Sequence, residues 1–277
     1  MESPTAVSSD TALYLYCFFA GPPTVVPAQG LAGTASPFVL SYRDVCALVS
    51  RVLLHEYNEP TLHRRLQDLP WLAAKVQRHE ETVRTVWGLH PVMPVKFGTL
   101  YLSTTRVLQA LQRHYQEWHA FLTGIQDKEE WGVKVFACDG PENTLPEVSE
   151  LRREYDRQLA TATPGAAYLL RKKRHSVLRQ HVLQRREALS EQMYQQVLSW
   201  CLEGRSNALL SQRATGKAGE MILNAAFLLA PPQVTSFKHQ LDALAARYAG
   251  SGLTCEISGP WPPYNFCPAV DLSPGGE

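Results

Sequence analysis

The stretch of this chain nearest to a reaction centre is Gly216-Lys217-Ala218-Gly219-Glu220, a lysine between glycines of the kind that cradles phosphate. A phosphate loop also needs an upstream glycine and a Ser or Thr directly after the lysine. Neither is present, so the glycines read as punctuation of a hairpin turn. His79-Glu80-Glu81 lacks the second histidine of a zinc-protease helix. His175 and His181 are spaced wrongly for a shared metal on a regular helix. There is no G-x-S-x-G for a hydrolase serine. Cys17 lies in an apolar stretch that would raise its thiol pKa and leave it inert. The residues therefore predict no catalytic, cofactor-binding or metal-binding set, no cofactor, and no enzyme.

Three further stretches suggest binding. Leu169 to Arg186 is a basic run containing His175 and His181. On a helix, Arg171, Lys172, Lys173 and Arg174 spread around the circumference because successive residues step by ~100°. The run is therefore expected to be a solvated helix face rather than a phosphate track. Val95-Lys96-Phe97-Gly98-Thr99-Leu100-Tyr101-Leu102 resembles an RNA-binding signature, but that signature requires glycine directly after the basic residue, and here Phe97 follows Lys96. The tail, Glu256 to Phe266, packs Pro260, Pro262 and Pro263 among Trp261, Tyr264 and Phe266. Polyproline II geometry would put Trp261 and Tyr264 on one face. Formally the tail is also a PxxP ligand for an aromatic groove. The favoured reading is a strap lying back on its own domain, since three buried aromatics contribute on the order of 5–10 kcal/mol gross.

Composition bounds the rest. With 277 residues, 45% hydrophobic and 19% charged, the chain suits a globular protein with room for two cores. A net charge of +1 gives no long-range pull toward nucleic acid or anionic lipid. Six cysteines without a C-x-x-C pair, and an N-terminus without signal-peptide architecture, favour free thiols in a reducing cytoplasm. No apolar run approaches the ~20 residues of a membrane span.

These stretches need elements to hold them. Ala12 to Gly21 reads as a buried strand. A second and third strand follow around a bend at Tyr42-Arg43-Asp44. A helical pattern runs from Leu62 to His90 with a break at Pro70, and Pro91 and Pro94 keep the next stretch extended. Another helix runs from Ser103 to Gly124. Glu129 to Gly140 is a strand, and an acidic connection with a short helix at Glu150 to Leu159 leads to a long helix. That helix starts at Thr163-Pro164, with Thr as cap, and ends near Gly204. Ser206 to Ala230 reads as two strands around the Gly216 turn, followed by a helix carrying Phe237, Leu241, Leu244 and Tyr248 and a last strand from Leu253 to Ser258. The order from Glu130 is βαββαβ, the ferredoxin-like arrangement. The predicted architecture is α+β in two domains: residues 1–126, an α+β domain, and 127–277, a modified ferredoxin-like domain with an apolar C-terminal strap.

Several of these segments together resemble the gas vesicle GvpL/GvpF family. The ending Gly259-Pro260-Trp261-Pro262-Pro263-Tyr264-Asn265-Phe266 is the most specific match. Val92 to Tyr101, with Pro94, Lys96, Phe97, Gly98 and Thr99, matches the family's Pro-x-(Arg/Lys)-Phe-Gly-Thr segment. Glu129 to Phe136, with Trp131, Gly132 and Lys134, matches its Glu-aromatic-Gly-Val-Lys-Val strand. Pro164 to Lys173, with Tyr168, matches its Gly-x-x-Tyr-Leu helix start. The resemblance runs from Ala12 to Phe266.

The resemblance implies a non-enzymatic accessory protein of gas vesicle formation, in the cytoplasm and at the vesicle. Its expected partners are the shell protein and other accessory proteins, with no nucleic acid and no membrane span. The matched residues become candidates for packing or interface roles. A sheet edge or apolar groove would suit an apolar shell subunit. The alternative is nucleic-acid binding through the ferredoxin-like sheet, for which Val133, Val135, Phe136 and Phe227 offer a poor aromatic platform.

Overall fold

The structure, a computed structural model, describes residues 10–22, 29–31, 36–57, 61, 65, 67–138, 146–250 and 252–269. The chain forms two compact units, Met1–Lys128 with Trp261–Glu277, and Glu129–Pro260. Both are mixed α and β, each built on one antiparallel sheet.

The first unit is organised by β1 (Thr11–Ala20), which is buried on both faces. β2 (Phe38–Tyr42), β3 (Val45–Leu53), β4 (Val92–Pro94) and β5 (Leu100–Tyr101) complete its sheet in the order β2-β3-β1-β4, with β5 also on β1. The β2–β3 hairpin turns where the sequence predicts a bend, with Arg43 at φ 54°. A register shift between Leu15 and Cys17 is a bulge in β1. It puts Tyr16 and Cys17 into the same core instead of on alternate faces.

Helix α1 (Leu69–Trp87) begins with Pro70 in its first turn, and the Asp68 carboxylate accepts from the Trp71 N–H at 3.2 Å. Its Val83 and Val86 pack with Tyr14, Tyr16 and Phe19 on one face of the sheet. α2 (Thr104–Arg113), capped by Ser103, and α3 (Tyr115–Ile125) cover the other face with Val107, Leu111, Trp118 and Leu122. The sequence predicts one helix here. The backbone instead breaks at His114, whose ring stacks on Trp118 at 5.0 Å between centroids. The predicted helix start at Leu62, the strand stop at Gly140-Pro141 and the Pro-rich loop after Pro22 lie outside the described residues, save for fragments of that loop and of the first turn.

The second unit runs β6 (Glu129–Ala137), α4 (Pro146–Ala160), α5 (Pro164–Leu198), β7 (Glu203–Ser206), β8 (Glu220–Leu229), α6 (Val234–Ala249) and β9 (Leu253–Trp261). Its sheet order β7-β8-β6-β9 is that of a ferredoxin-like sheet, with α4 added beside the first helix. Met193 and Val197 of α5 and Phe237, Leu241 and Leu244 of α6 meet Val133, Val135 and Phe227 in one core. α5 ends at Leu198, so Gly204 lies inside β7 rather than closing the helix. Thr163 has the extended backbone of a cap, but its hydroxyl makes no capping bond. The strand predicted from Ser206 onward is displaced upstream to β7. In its place a short helical turn, Gln212–Thr215, closes on the left-handed Gly216.

The tail departs most from expectation. It does not strap the second unit: from Trp261 it belongs to the first. Nor does it hold a continuous polyproline II helix. Bonds from Tyr264 N–H to Pro262 O at 2.8 Å and from Phe266 N–H to Pro263 O at 3.1 Å turn the chain. The reason is that a single-sequence pattern names the apolar face of a segment and not its acceptor surface, which here is supplied by Glu80, Arg84 and Pro94 of the first unit.

Candidate functional site

Two motif stretches about 160 residues apart in sequence meet in the first unit. The first is the Lys96-Phe97-Gly98-Thr99 turn between β4 and β5. The Lys96 carbonyl accepts from the Thr99 N–H at 3.3 Å and from the Thr99 hydroxyl at 2.7 Å. Gly98, third in the turn, has φ 89°, which an L side chain resists. This accounts for the glycine. Leu15 N–H donates to the Thr99 carbonyl at 3.0 Å, tying the turn to the central strand.

Beneath the turn lies a buried polar relay. The His79 Nε2 is 3.2 Å from the Val95 carbonyl, an obligate acceptor, so Nε2 carries the proton. His79 Nδ1 then accepts from the Tyr14 hydroxyl at 2.9 Å, and that hydroxyl accepts from the Gly98 N–H at 3.2 Å. Both ends of the Val95–Gly98 segment are thereby clamped by side chains from α1 and β1. A parallel pair fixes the neighbouring strand: Tyr16 bonds Ser50 at 2.9 Å and accepts from the Leu31 N–H at 2.6 Å.

Burial keeps these groups neutral. It lowers the His79 pKa to about 4, against a smaller raising effect of the bond to Val95. It pushes the Tyr14 phenol far up. The Cys17 thiol is driven up by burial, as its apolar strand predicts, and that of Cys46 to about 11. By residue type and spacing alone His79 suggests at most a metal ligand. Its signal as a clamp was its place on the inner face of a helix, spaced four residues before the buried Val83.

The second stretch is the tail. Pro262, Pro263 and Phe266 are buried, and the Arg84 guanidinium of α1 lies 4.5 Å from the Trp261 ring centroid. The Tyr264 phenol is buried beside the Glu80 carboxylate, and both raise its pKa. The Cys267 thiol lies 3.2 Å from the Pro263 carbonyl and 3.6 Å from that of Pro94. Tyr264 thus sits with α1 on one side of the sheet, while Cys267 packs with the core on the other. The tail wraps the β4 edge, where Pro94 itself offers no N–H.

The remaining motif residues lie elsewhere. Trp131, Gly132 and Lys134 are on β6 in the second unit, with the Lys238 ammonium 4.4 Å from the Trp131 ring centroid. Gly259, at φ 139°, crosses Trp131 so closely that a Cβ would stand 2.9 Å from the indole and from the Glu130 carbonyl. Pro260 is exposed, and Tyr168 stands out from α5 at 67% exposure. Lys96 projects outward from its turn. Val133, Val135, Phe136 and Phe227 are all buried, which removes them as an aromatic platform for bases. Lys217 is ion-paired with Glu256 of β9 instead of facing an open loop. Among the described residues, no group of three His, Cys, Asp or Glu side chains could hold a metal ion, and no helix is long and apolar enough to cross a membrane.

The chain is matched by the family model for gas vesicle synthesis protein GvpL/GvpF, over residues 12–268. The chain belongs to this family. It is 27% identical to gas vesicle protein L of Streptomyces over 94% of each chain. It is 23% identical to gas vesicle protein F1 of Halobacterium salinarum, over 96% of this chain and 95% of that one. The crystal structure of the gas vesicle protein GvpF from Anabaena superposes with a TM-score of 0.66 at 18% identity, covering 94% of this chain and 97% of that one, which shows a shared fold. A GvpF structure from Microcystis aeruginosa gives 0.63. Within the GvpL/GvpF frame the protein is a gas vesicle accessory, and two of its family segments, Val92–Tyr101 and the tail, lie in one unit and touch where Cys267 approaches the Pro94 carbonyl.

Proposed function

We propose that this protein is a non-enzymatic assembly factor that binds the vesicle shell protein and other accessory proteins as gas vesicles form, working in the cytoplasm and at the vesicle. The observation that carries this reading is the family match over residues 12–268. The geometry supports it from a second direction. The turn at Lys96–Thr99, its clamp of Tyr14 and His79, and the tail residues Pro262, Pro263 and Phe266 are occupied in holding the first unit together. The Tyr14 and His79 side chains bond each other and the backbone of the turn, and burial keeps the Tyr14 phenol and His79 imidazole neutral at ordinary pH. Motifs of this kind act as architecture, which leaves the outer surfaces to meet partners. A sheet edge or an apolar groove is the chemistry that would shield an apolar subunit before it joins a wall.

The test uses the full-length chain, immobilised, against purified shell protein, together with deletion of its gene in a vesicle-forming strain. Retention of shell protein and loss of vesicles are expected. Absence of binding, with normal vesicles in a deletion strain that has no paralogue, sinks the proposal.

A further inference from the structure

The outer face of α5 combines charge and apolar exposure in a way the corner does not. Pro164 to Arg186 contains seven cations and no Asp or Glu, in a chain whose net charge is +1. Arg174 is paired with Asp156 and Arg186 with Glu220. Arg171, Lys172, Lys173, Arg179 and Arg185 have no ion-pair partner among the described residues.

Helical geometry sorts these residues. Tyr168, Lys172, Arg179 and Leu183 fall within roughly 60° of arc at 100° per residue. All four are exposed, as is His175 beside them. The stripe is therefore apolar at both ends and basic in the middle. Tyr168 is 67% exposed and its neighbour Leu169 66%, while Leu183 is 48% exposed. At Leu183 the stripe runs into a groove of about 570 Å³ between α5 and β8, where the exposed Leu209 continues the apolar surface and Glu187 and Glu191 line the α5 wall, so the acidic part of an occupant is confined to the middle of the stripe. Single exposed apolar side chains are common, but here Tyr168 and Leu183 share one stripe with Lys172 and Arg179, which have no ion-pair partner among the described residues.

We propose that this face docks an acidic amphipathic helix of a partner protein, its glutamates or aspartates over Lys172 and Arg179 and its apolar residues against Tyr168 and Leu183. Charge complementarity selects an acidic occupant. The apolar ends select a protein segment over nucleic acid, whose phosphates would lie against Tyr168 and Leu183 without gain. The proposal stands on this surface alone and does not require that the shell protein be the partner.

The probe is a labelled 20-residue helical peptide with leucine near each end and three glutamates between them on one face, alanine and glutamine elsewhere. Anisotropy titration of the full-length protein is expected to saturate with a Kd on the order of 10–100 μM, and the affinity is expected to fall as salt is raised. The double variant Lys172→Glu with Arg179→Glu is expected to weaken binding about tenfold or more. Tyr168→Ser with Leu183→Ser is expected to weaken it similarly, and a scrambled peptide of equal charge to bind at least tenfold more weakly. The substituted residues are exposed, and circular dichroism checks that the variants keep their helix. Absence of saturation, equal binding by the scrambled peptide, or unchanged affinity of either variant overturns the proposal. So does tighter binding of a 20-base single-stranded DNA or of phosphatidylserine vesicles that displace the peptide.

Discussion

The Lys96–Thr99 corner and the outer face of α5 are both rich in polar and aromatic side chains, yet they use them in opposite ways. In the corner, the buried Tyr14 bonds both the buried His79 and the backbone of the half-buried Gly98. On α5, Tyr168, Lys172 and Arg179 face solvent, and the two cations lack an ion-pair partner among the described residues. Burial decides the difference. A polar group removed from water must find a partner, so the corner is closed chemistry, whereas an exposed cation keeps its hydration and remains available. Distinctive sequence is thus a poor guide to a working surface. The most recognisable motif of this chain is largely internal, and the surface we propose for a partner lies in a stretch that reads as routine solvation.

The sharpest way to break this contrast is to cut into the corner. Phe266→Ala removes a buried aromatic from the tail and is expected to destabilise the first unit by about 3–5 kcal/mol. Denaturant unfolding of the full chain, with amide exchange in β1 and β4, checks it. A change confined to the second unit would show that the tail is not part of the first.

Acid is a gentler probe of the same place. The folded pKa of His79 is depressed to about 4 from an ordinary 6.5, so between these values the unfolded chain binds more protons. Stability is therefore full above about pH 6.5 and falls as pH drops toward 4, by on the order of 3 kcal/mol. Protonation would also put a second N–H against the Tyr14 hydroxyl, which already accepts from Gly98. Unfolding of the native chain and of His79→Gln at pH 7 and pH 4.5 measures the slope, which is expected to flatten in the variant. Equal slopes would remove His79 from the clamp.

The smallest effect belongs to the stripe. Lys172→Glu with Arg179→Glu is expected to move stability by less than about 0.5 kcal/mol, since neither side chain is buried or ion-paired among the described residues. A midpoint shift well beyond that would mean the stripe is structural after all.

How much was legible in the sequence varies by element. β1 was plain because nine consecutive apolar and aromatic residues, Ala12 to Ala20, ending at Gly21-Pro22 leave little choice but a buried strand. α6 was plain because Phe237, Leu241 and Leu244 keep helical period. β7 was misplaced because Glu203–Ser206 is short, polar and contains glycine, and it is a strand only because β8 offers it a ladder. The break at His114 left no mark, since its neighbours are all good helix residues. In the site, Lys96, Gly98 and Thr99 were singled out as a stretch, but the partners that hold them, Tyr14 and His79, lie 84 and 19 residues from Gly98 and no local pattern connects them.

By itself the sequence determined periodicity: which residues seek a core, where helices start, and that the ending is an apolar, proline-stiffened ribbon. Such preferences are local, set by side-chain spacing and backbone sterics within a few residues. Only the tertiary structure decided which surface that ribbon covers, which histidine is sealed neutral beneath a turn, and which cations have no counter-ion among the described residues. Those outcomes depend on long-range competition for buried area and hydrogen-bond partners, and that competition is settled only when the whole chain has packed.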